Sequence, residues 1–287
     1  MTCCICHGAS LEPRFPREKW SYLLCKACGH AQLTPWESAQ QMDEFYEESY
    51  FVNSSTGGYS NYVQDEALHR LNAKDRLKHV AAAGGKGGRL LDVGCAAGFF
   101  LDVAQHSTPA WDVIGMDCSA WARNAASEKF GIKAYGSLAE AKEKESQPFQ
   151  AVTMFQVLEH IPDTRETLKE VAGLLADRGS LVIETWDRES LVARLFGNHW
   201  QQITPPSVLH LFSRRSLKQL VEECGFTDVK IRASGKRVSV GFVGNLLHKK
   251  YPRLLAPLGW LTSRAWIRDW SAIYALGDLV TLTARKA

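Results

Sequence analysis

The stretch Arg89-Leu-Leu-Asp-Val-Gly-Cys-Ala-Ala-Gly-Phe-Phe-Leu101 constrains the fold of this 287-residue chain more than any other. Residues 89–93 predict a short buried strand, apolar except for one acidic residue near its end. Residues 94–98 predict a turn, and Phe99 opens an amphipathic helix running to about residue 105. Strand, glycine turn and helix start together form the nucleotide-handling corner of an open α/β sheet. Gly94 and Gly98 lack a Cβ, so the backbone can bend sharply and a ligand can come close. The spacing is Gly-x-x-x-Gly with no Gly-Lys-Ser/Thr. Nothing here cradles a triphosphate, and the dinucleotide fingerprint is incomplete.

The rest of the chain alternates strand and helix around that corner. A polar, glycine-containing linker covers residues 53–60, and a helix follows over 61–83. Val63, Ala67, Leu68, Leu71, Leu77 and Val80 give it an apolar stripe. The second strand spans 112–116 and ends at Asp117, about 20 residues past the glycine turn. A carboxylate at that strand end can accept both hydroxyls of a ribose. Ser119 is placed to cap the next helix. Further strands are expected over 132–135, 151–155, 180–185, 228–233 and 279–284. Helices are expected over 165–175 and 214–224, the latter capped by Ser213 and ended by Gly225.

Five of the eight cysteines fall in the first 28 residues. Cys3-x-x-Cys6 and Cys25-x-x-Cys28 are two knuckles separated by 18 residues, a spacing suited to a four-thiolate zinc shell. A segment this small has too little core to fold without such a staple. Cys4 is an alternative to Cys3, and His7 or His30 could replace another ligand. The N-terminus has neither a basic nor a hydrophobic leader region, and no apolar run is long enough to cross a bilayer. The expectation is therefore a cytoplasmic protein whose thiols bind metal rather than pair as disulfides.

These motifs resemble known ones. Asp92-Val-Gly-Cys-Ala-Ala-Gly-Phe-Phe100 is similar to the first motif of class I S-adenosylmethionine-dependent methyltransferases. Val157-Leu-Glu-His-Ile-Pro-Asp163 resembles the post-strand motif of small-molecule methyltransferases of the ubiquinone-biosynthesis type. Cys3, Cys6, Cys25 and Cys28 with Pro35, Tyr46 and Tyr50 resemble the N-terminal module of a subgroup found in bacterial secondary-metabolite and surface-saccharide pathways. The resemblance implies an α/β fold: a Rossmann-like seven-stranded sheet with helices on both faces, plus a small N-terminal zinc ribbon. It implies a module with linker helix over 1–52 and a catalytic domain over 53–287.

The resemblance also assigns roles. S-adenosylmethionine would lie against Asp92, Gly94, Cys95, Gly98 and Phe99, with Asp117 and Cys118 on its ribose side. Phe155, Gln156 and Val157 would border it after the fourth strand, and Tyr59 and Tyr62 would either cover it or simply pack. Family members often carry an acidic residue after the third strand; here Ser137 stands in its place, and Gln150 replaces an aspartate common before the fourth. Glu159 and His160 are catalytic candidates, although His160 could instead hold its loop. The loop after the fifth strand adds His199 and Trp200 as substrate-facing residues and His210 as a base or orienting group. For Trp200 and His210 the alternative is a structural role.

Charge is distributed unevenly. Residues 61–234 carry 21 basic and 22 acidic side chains, whereas residues 235–287 carry 9 and 2. A near-neutral core argues against a nucleic-acid enzyme with a broad basic face, and the resemblance implies a small-molecule acceptor. The basic segment 235–278 holds Trp266 and Trp270 on one helical face between Arg264 and Arg268. It suits a membrane-surface contact, a substrate lid or a homodimer contact. The expected activity is methyl transfer, first to oxygen. The alternatives are an RNA base methyltransferase and a binding protein that keeps the fold without the chemistry.

Overall fold

The computed structural model of the protein describes residues 1–36, 65–239 and 271–287. Tyr59, Tyr62, the linker, the 52/53 boundary and the tryptophan-bearing part of the basic segment lie outside the described residues.

The chain begins with a meander of β1 (Leu11–Arg17), β2 (Trp20–Cys25) and β3 (Ala31–Thr34). Helix α1 (Glu66–Ala82) leads to β4 (Gly88–Val93), α2 (Phe99–Gln105), β5 (Trp111–Met116), α3 (Ala120–Phe130) and β6 (Lys133–Tyr135). Then come α4 (Leu138–Lys144), β7 (Phe149–Phe155), α5 (Thr164–Leu174), β8 (Leu175–Trp186) and α6 (Leu191–Phe196). The chain closes with β9 (His210–Leu211), α7 (Arg214–Glu223), β10 (Phe226–Ala233), β11 (Lys236–Ser239), β12 (Ser271–Tyr274) and β13 (Leu279–Lys286).

The main sheet has seven strands in the order β10-β13-β8-β7-β4-β5-β6. Strands β6 to β8 run parallel with β4, and β13 is antiparallel to both its neighbours. Both faces are covered, as a parallel sheet requires. Leu91, Val152, Ile183 and Leu282 pack into one core, while Leu90, Ala151 and Val182 pack into another across the sheet. The expected seven-stranded α/β architecture is therefore present.

The expected helix starts hold where side chains cap them. Ser119 accepts from the Ala122 amide, and Ser213 forms a reciprocal capping box with Ser216. The fifth strand is longer than 180–185, because α5 ends at Leu174 and the chain extends at once. The stripe expected on α1 holds in its second half, where Val80 is buried and Leu77 packs against the core, and fails in its first, where Ala67 and Leu71 are exposed and Ala73 is buried instead. The turned face instead aims Arg70 at Asp102 (2.5 Å) and Arg76 at Glu184 (2.5 Å).

The cysteine-rich beginning does not stand apart. β3 pairs with β9, Ala31 opposite Leu211 and Gln32 opposite His210, so a four-stranded sheet joins the N-terminal meander to a strand about 180 residues further on. Cys3, Ile5, Cys25 and Cys28 share a core with Phe212, Leu217 and Leu220. Neither β1 nor the β11–β12 pair was signalled by hydrophobic period, since their exposed and half-buried residues alternate poorly, and β3 alternates over only four residues.

Candidate active site and metal centre

The glycine turn is held from below by β5. The Gly94 and Cys95 amides both donate to the Met116 carbonyl, at 2.7 and 3.0 Å. Gly94 has φ +77°, and a Cβ there would run into the Val157 side chain. The turn and the loop after β7 are thus pressed together, which only a residue without a side chain permits. Gly98, at φ +81°, begins α2 and would meet Ala126 if it carried a Cβ.

Asp117 sits at the mouth of this turn. Its two carboxylate oxygens accept from the Ala96 amide (2.9 Å) and the Ser119 amide (3.0 Å). Burial pushes its carboxyl up from the ordinary range, against those amide bonds. Each oxygen keeps a second lone pair for a hydroxyl donor. Asp92, inside β4, accepts from the Thr153 hydroxyl at 2.6 Å, and burial pushes it up to about 7. Cys95 is buried beside Gly115, whereas Cys118 is exposed. Phe99 is buried and stacks on His69 at 5.3 Å. Ser137 caps α4, accepting from the Glu140 amide. Sequence reasoning gathered these residues at one corner, and Asp92, Gly94, Cys95, Gly98 and Asp117 are indeed brought together by β4, β5 and the turn between β4 and α2.

The loop leaving β7 is strained at its first residue: Gln156 has φ +59°, a conformation uncommon for a side chain of its size. Its amide donates to the Glu184 carbonyl at 2.7 Å. Phe155 lies under the Arg76 guanidinium, 4.6 Å from its ring centre. Glu159 is buried; Oε2 accepts from Thr185 at 2.8 Å while Oε1 has no partner among the described residues. Desolvation accordingly pushes its carboxyl up. His160 donates from Nδ1 to the Ser207 carbonyl at 2.6 Å, which leaves the lone pair on Nε2.

Sequence reasoning missed the group beyond the ends of β7 and β8. The Lys236 ammonium donates to Gln156 Oε1 at 3.0 Å and lies 4.9 Å from the Trp186 ring centre. The Gln156 amide group donates to Glu184, which Arg76 also grips. Burial lowers Lys236 to about 8, only partly opposed by Glu184. Glu184 is buried, yet the Arg76 guanidinium outweighs that burial and holds its carboxyl low. The one legible signal was an acidic residue inside the apolar run 181–186.

Trp200 and His210 take the structural role that the sequence left open for both. Trp200 is buried, its indole N–H donating to Asp278 at 3.0 Å, so its ring fills core rather than offering a face. His199 is exposed on the single 3-10 turn before it. His210 turns away from the glycine corner. Its Nε2 lies 3.0 Å from the Ile161 carbonyl and its Nδ1 3.2 Å from His30 Nε2, so neither ring nitrogen is offered to an acceptor beside Gln156.

Cys3, Cys6, Cys25 and Cys28 converge, with all four sulfurs within 4.8 Å of one another. The Cys3–Cys28 and Cys6–Cys25 separations are 3.6 and 3.5 Å. A tetrahedron with metal–sulfur bonds of about 2.3 Å has edges of about 3.8 Å, so the four thiols fit one zinc ion. Cys4 lies outside this set, which places Cys3 rather than Cys4 in the cluster.

With this geometry in hand, likeness to known proteins becomes informative. The family described as methyltransferase domain matches residues 64–231. The ubiquinone biosynthesis O-methyltransferase of Alkalilimnicola ehrlichii is 30% identical over 172 residues, covering 52% of this chain and 68% of that protein. Its counterpart in Coxiella burnetii is 32% identical over 128 residues, 42% of this chain and 53% of that one, so the chain spans about half that relative's length. Among solved structures, a methyltransferase from Thermotoga maritima superposes with TM-score 0.54 at 19% identity, covering 86% of this chain and all of that one. The plantazolicin methyltransferase does so with TM-score 0.51 at 13% identity, covering 86% and 97%.

Proposed function

The chain belongs to the methyltransferase-domain family, and on that premise we propose that it methylates an oxygen of a small-molecule acceptor, with S-adenosylmethionine as donor. The observation that carries this reading is Asp117, a buried carboxylate against the glycine turn with spare acceptor capacity for two ribose hydroxyls. Asp92, Gly94, Cys95, Gly98 and Phe99 line the donor side, and Phe155, Gln156 and Val157 the side from which the methyl group leaves. Bound S-adenosylmethionine supplies an electrophilic methyl group that needs no further activation.

What remains for the protein is to orient the acceptor and remove one proton. Lys236 suits that second task. Its amine lies on Gln156, is desolvated, and is neutral in part near neutral pH. Arg76 and Glu184 fix Gln156 in its left-handed conformation. Glu159 and His160 act as positioning residues, because Thr185 and the Ser207 carbonyl tie them into the loop. The four-thiolate cluster holds zinc in a closed shell, outside the chemistry.

Calorimetric titration with S-adenosylmethionine and S-adenosylhomocysteine tests this directly. Wild type is expected to bind at micromolar concentration. Asp117→Ala is expected to lose about tenfold or more, since each charge-assisted hydrogen bond contributes about 1.5–3 kcal/mol. Absence of binding to wild type would sink the reading.

A further inference from the structure

Beside the four-thiolate cluster stands a second group of metal-type donors, which methyl transfer does not use. Cys4 Sγ lies 3.5 Å from His30 Nε2 and 4.0 Å from His210 Nδ1, and the two imidazole nitrogens are 3.2 Å apart. These distances carry geometric information. An ion at about 2.3 Å from sulfur and about 2.05 Å from nitrogen, in tetrahedral array, gives sulfur–nitrogen edges of about 3.6 Å and a nitrogen–nitrogen edge of about 3.3 Å. Two of the three separations match those edges and the Cys4–His210 one is longer, so the three atoms are spaced as ligands of one ion would be.

The ligating atoms are also oriented for the task. His210 Nε2 must donate, since its neighbours are the Ile161 and Pro162 carbonyls at 3.0 and 3.3 Å. That fixes the tautomer and leaves the Nδ1 lone pair aimed at Cys4 and His30, the arrangement in which a second-shell carbonyl holds a metal-ligating histidine. His30 is fully buried and held by its rings' neighbours, 5.2 Å from His210 and 5.1 Å from Phe212. Its Nδ1 has no partner among the described residues, so packing alone sets its orientation. Cys4 is exposed, and its amide donates to the Gln32 side chain at 3.0 Å.

We propose that Cys4, His30 and His210 bind a second zinc ion, with three protein ligands and a fourth position open to solvent on the Cys4 side. One sulfur and two imidazoles suit a borderline-soft divalent ion, and a closed structural shell would need a fourth residue. The ion would join three parts of the chain: the first knuckle, the residue that leads into β3, and β9. Through β9 it reaches the loop after β7, because the Leu209 amide donates to the Glu159 carbonyl at 2.8 Å. This inference does not rest on the methyl-transfer reading.

Metal content of the zinc-saturated full chain, measured after gel filtration, decides it. Wild type should hold two zinc ions, and Cys4→Ser and His210→Gln one each with unchanged circular dichroism. Cobalt(II) titration gives an independent readout on folded wild type. Two binding events should appear, and Cys4→Ser should remove about one fifth of the thiolate-to-cobalt absorbance, one sulfur of five. One zinc in wild type that Cys4→Ser leaves in place would overturn the proposal. So would two zinc ions retained in both variants, or loss of all metal from Cys4→Ser, which would move Cys4 into the four-thiolate cluster.

Discussion

The two ends of this molecule achieve order by opposite means. The corner at β4, β5 and α2 is built from backbone and apolar packing. Leu90, Leu91 and Leu101 are fully buried, two amides share one carbonyl, and a single carboxylate closes the turn. The face made by β1, β2, β3 and β9 has short strands, and around them gather five thiols and two buried imidazoles. Buried apolar area stabilises the first at about 25 cal/mol per Å² whatever the solvent contains. The second has a smaller apolar cluster, around Tyr22, Leu33, Trp200 and Leu211, and beside it stand clustered thiols and imidazoles suited to ions. Two regions in one continuous core should therefore respond differently to the same perturbation.

Removal of the proposed zinc is the largest such perturbation. Structural zinc contributes about 10–16 kcal/mol in isolated zinc-finger peptides, an upper bound here because Cys3, Cys25 and Cys28 also pack against Phe212 and Leu217. Treatment with a strong chelator, or Cys25→Ser, is expected to abolish amide-exchange protection in β1 to β3 and β9. Protection in β4, β7 and β8 should persist, together with binding of S-adenosylhomocysteine. Equal loss of protection on both sides would break the comparison and show that the shared core transmits the collapse.

The same contrast explains what the sequence revealed. The glycine turn, Asp117 and the alternation of strands and helices were legible because their requirements are local: a bend without Cβ, a carboxylate at a strand end, a cap before a helix. The four cysteines were legible because ligand spacing is written within the knuckles. His210 was not. Its role is decided by His30, 180 residues away, through a pairing of two short strands that no periodicity announces. Lys236 was hidden for a related reason. A lysine after a glycine says nothing about desolvation until Gln156, Trp186 and Glu184 close around it.

Lys236 gives the next test, within the apolar half. Its lowered value of about 8 means that the neutral, base-competent form grows as pH rises through that point. With an acceptor in turnover, kcat/KM of wild type should rise along a limb centred near 8. In Lys236→Met that limb should vanish and kcat fall about 100-fold, the usual scale of general-base catalysis. Binding of S-adenosylmethionine should be unaffected. Ionisation of the acceptor itself would give the same limb in both proteins, so a limb retained by the methionine variant would assign the proton elsewhere, with His160 the next candidate.

The smallest effect sharpens the comparison from the side of stability. Asp92 is buried in β4, and its folded value of about 7 exceeds the ordinary 3.8. Between those values the folded protein holds a proton that the unfolded chain has released, so stability falls as pH rises, and above about 7 the cost is fully present. Asparagine resembles the protonated carboxyl and can still accept from the Thr153 hydroxyl. Asp92→Asn should thus match wild type only below about pH 4, and its advantage in melting point should be about 5 °C larger at about pH 8 than at about pH 5, from a further gain on the order of 2 kcal/mol. Zinc content should be unchanged, because Asp92 is in neither group of metal-type donors. A melting point raised equally at both pH values would locate the gain in packing and remove burial of charge as its cause.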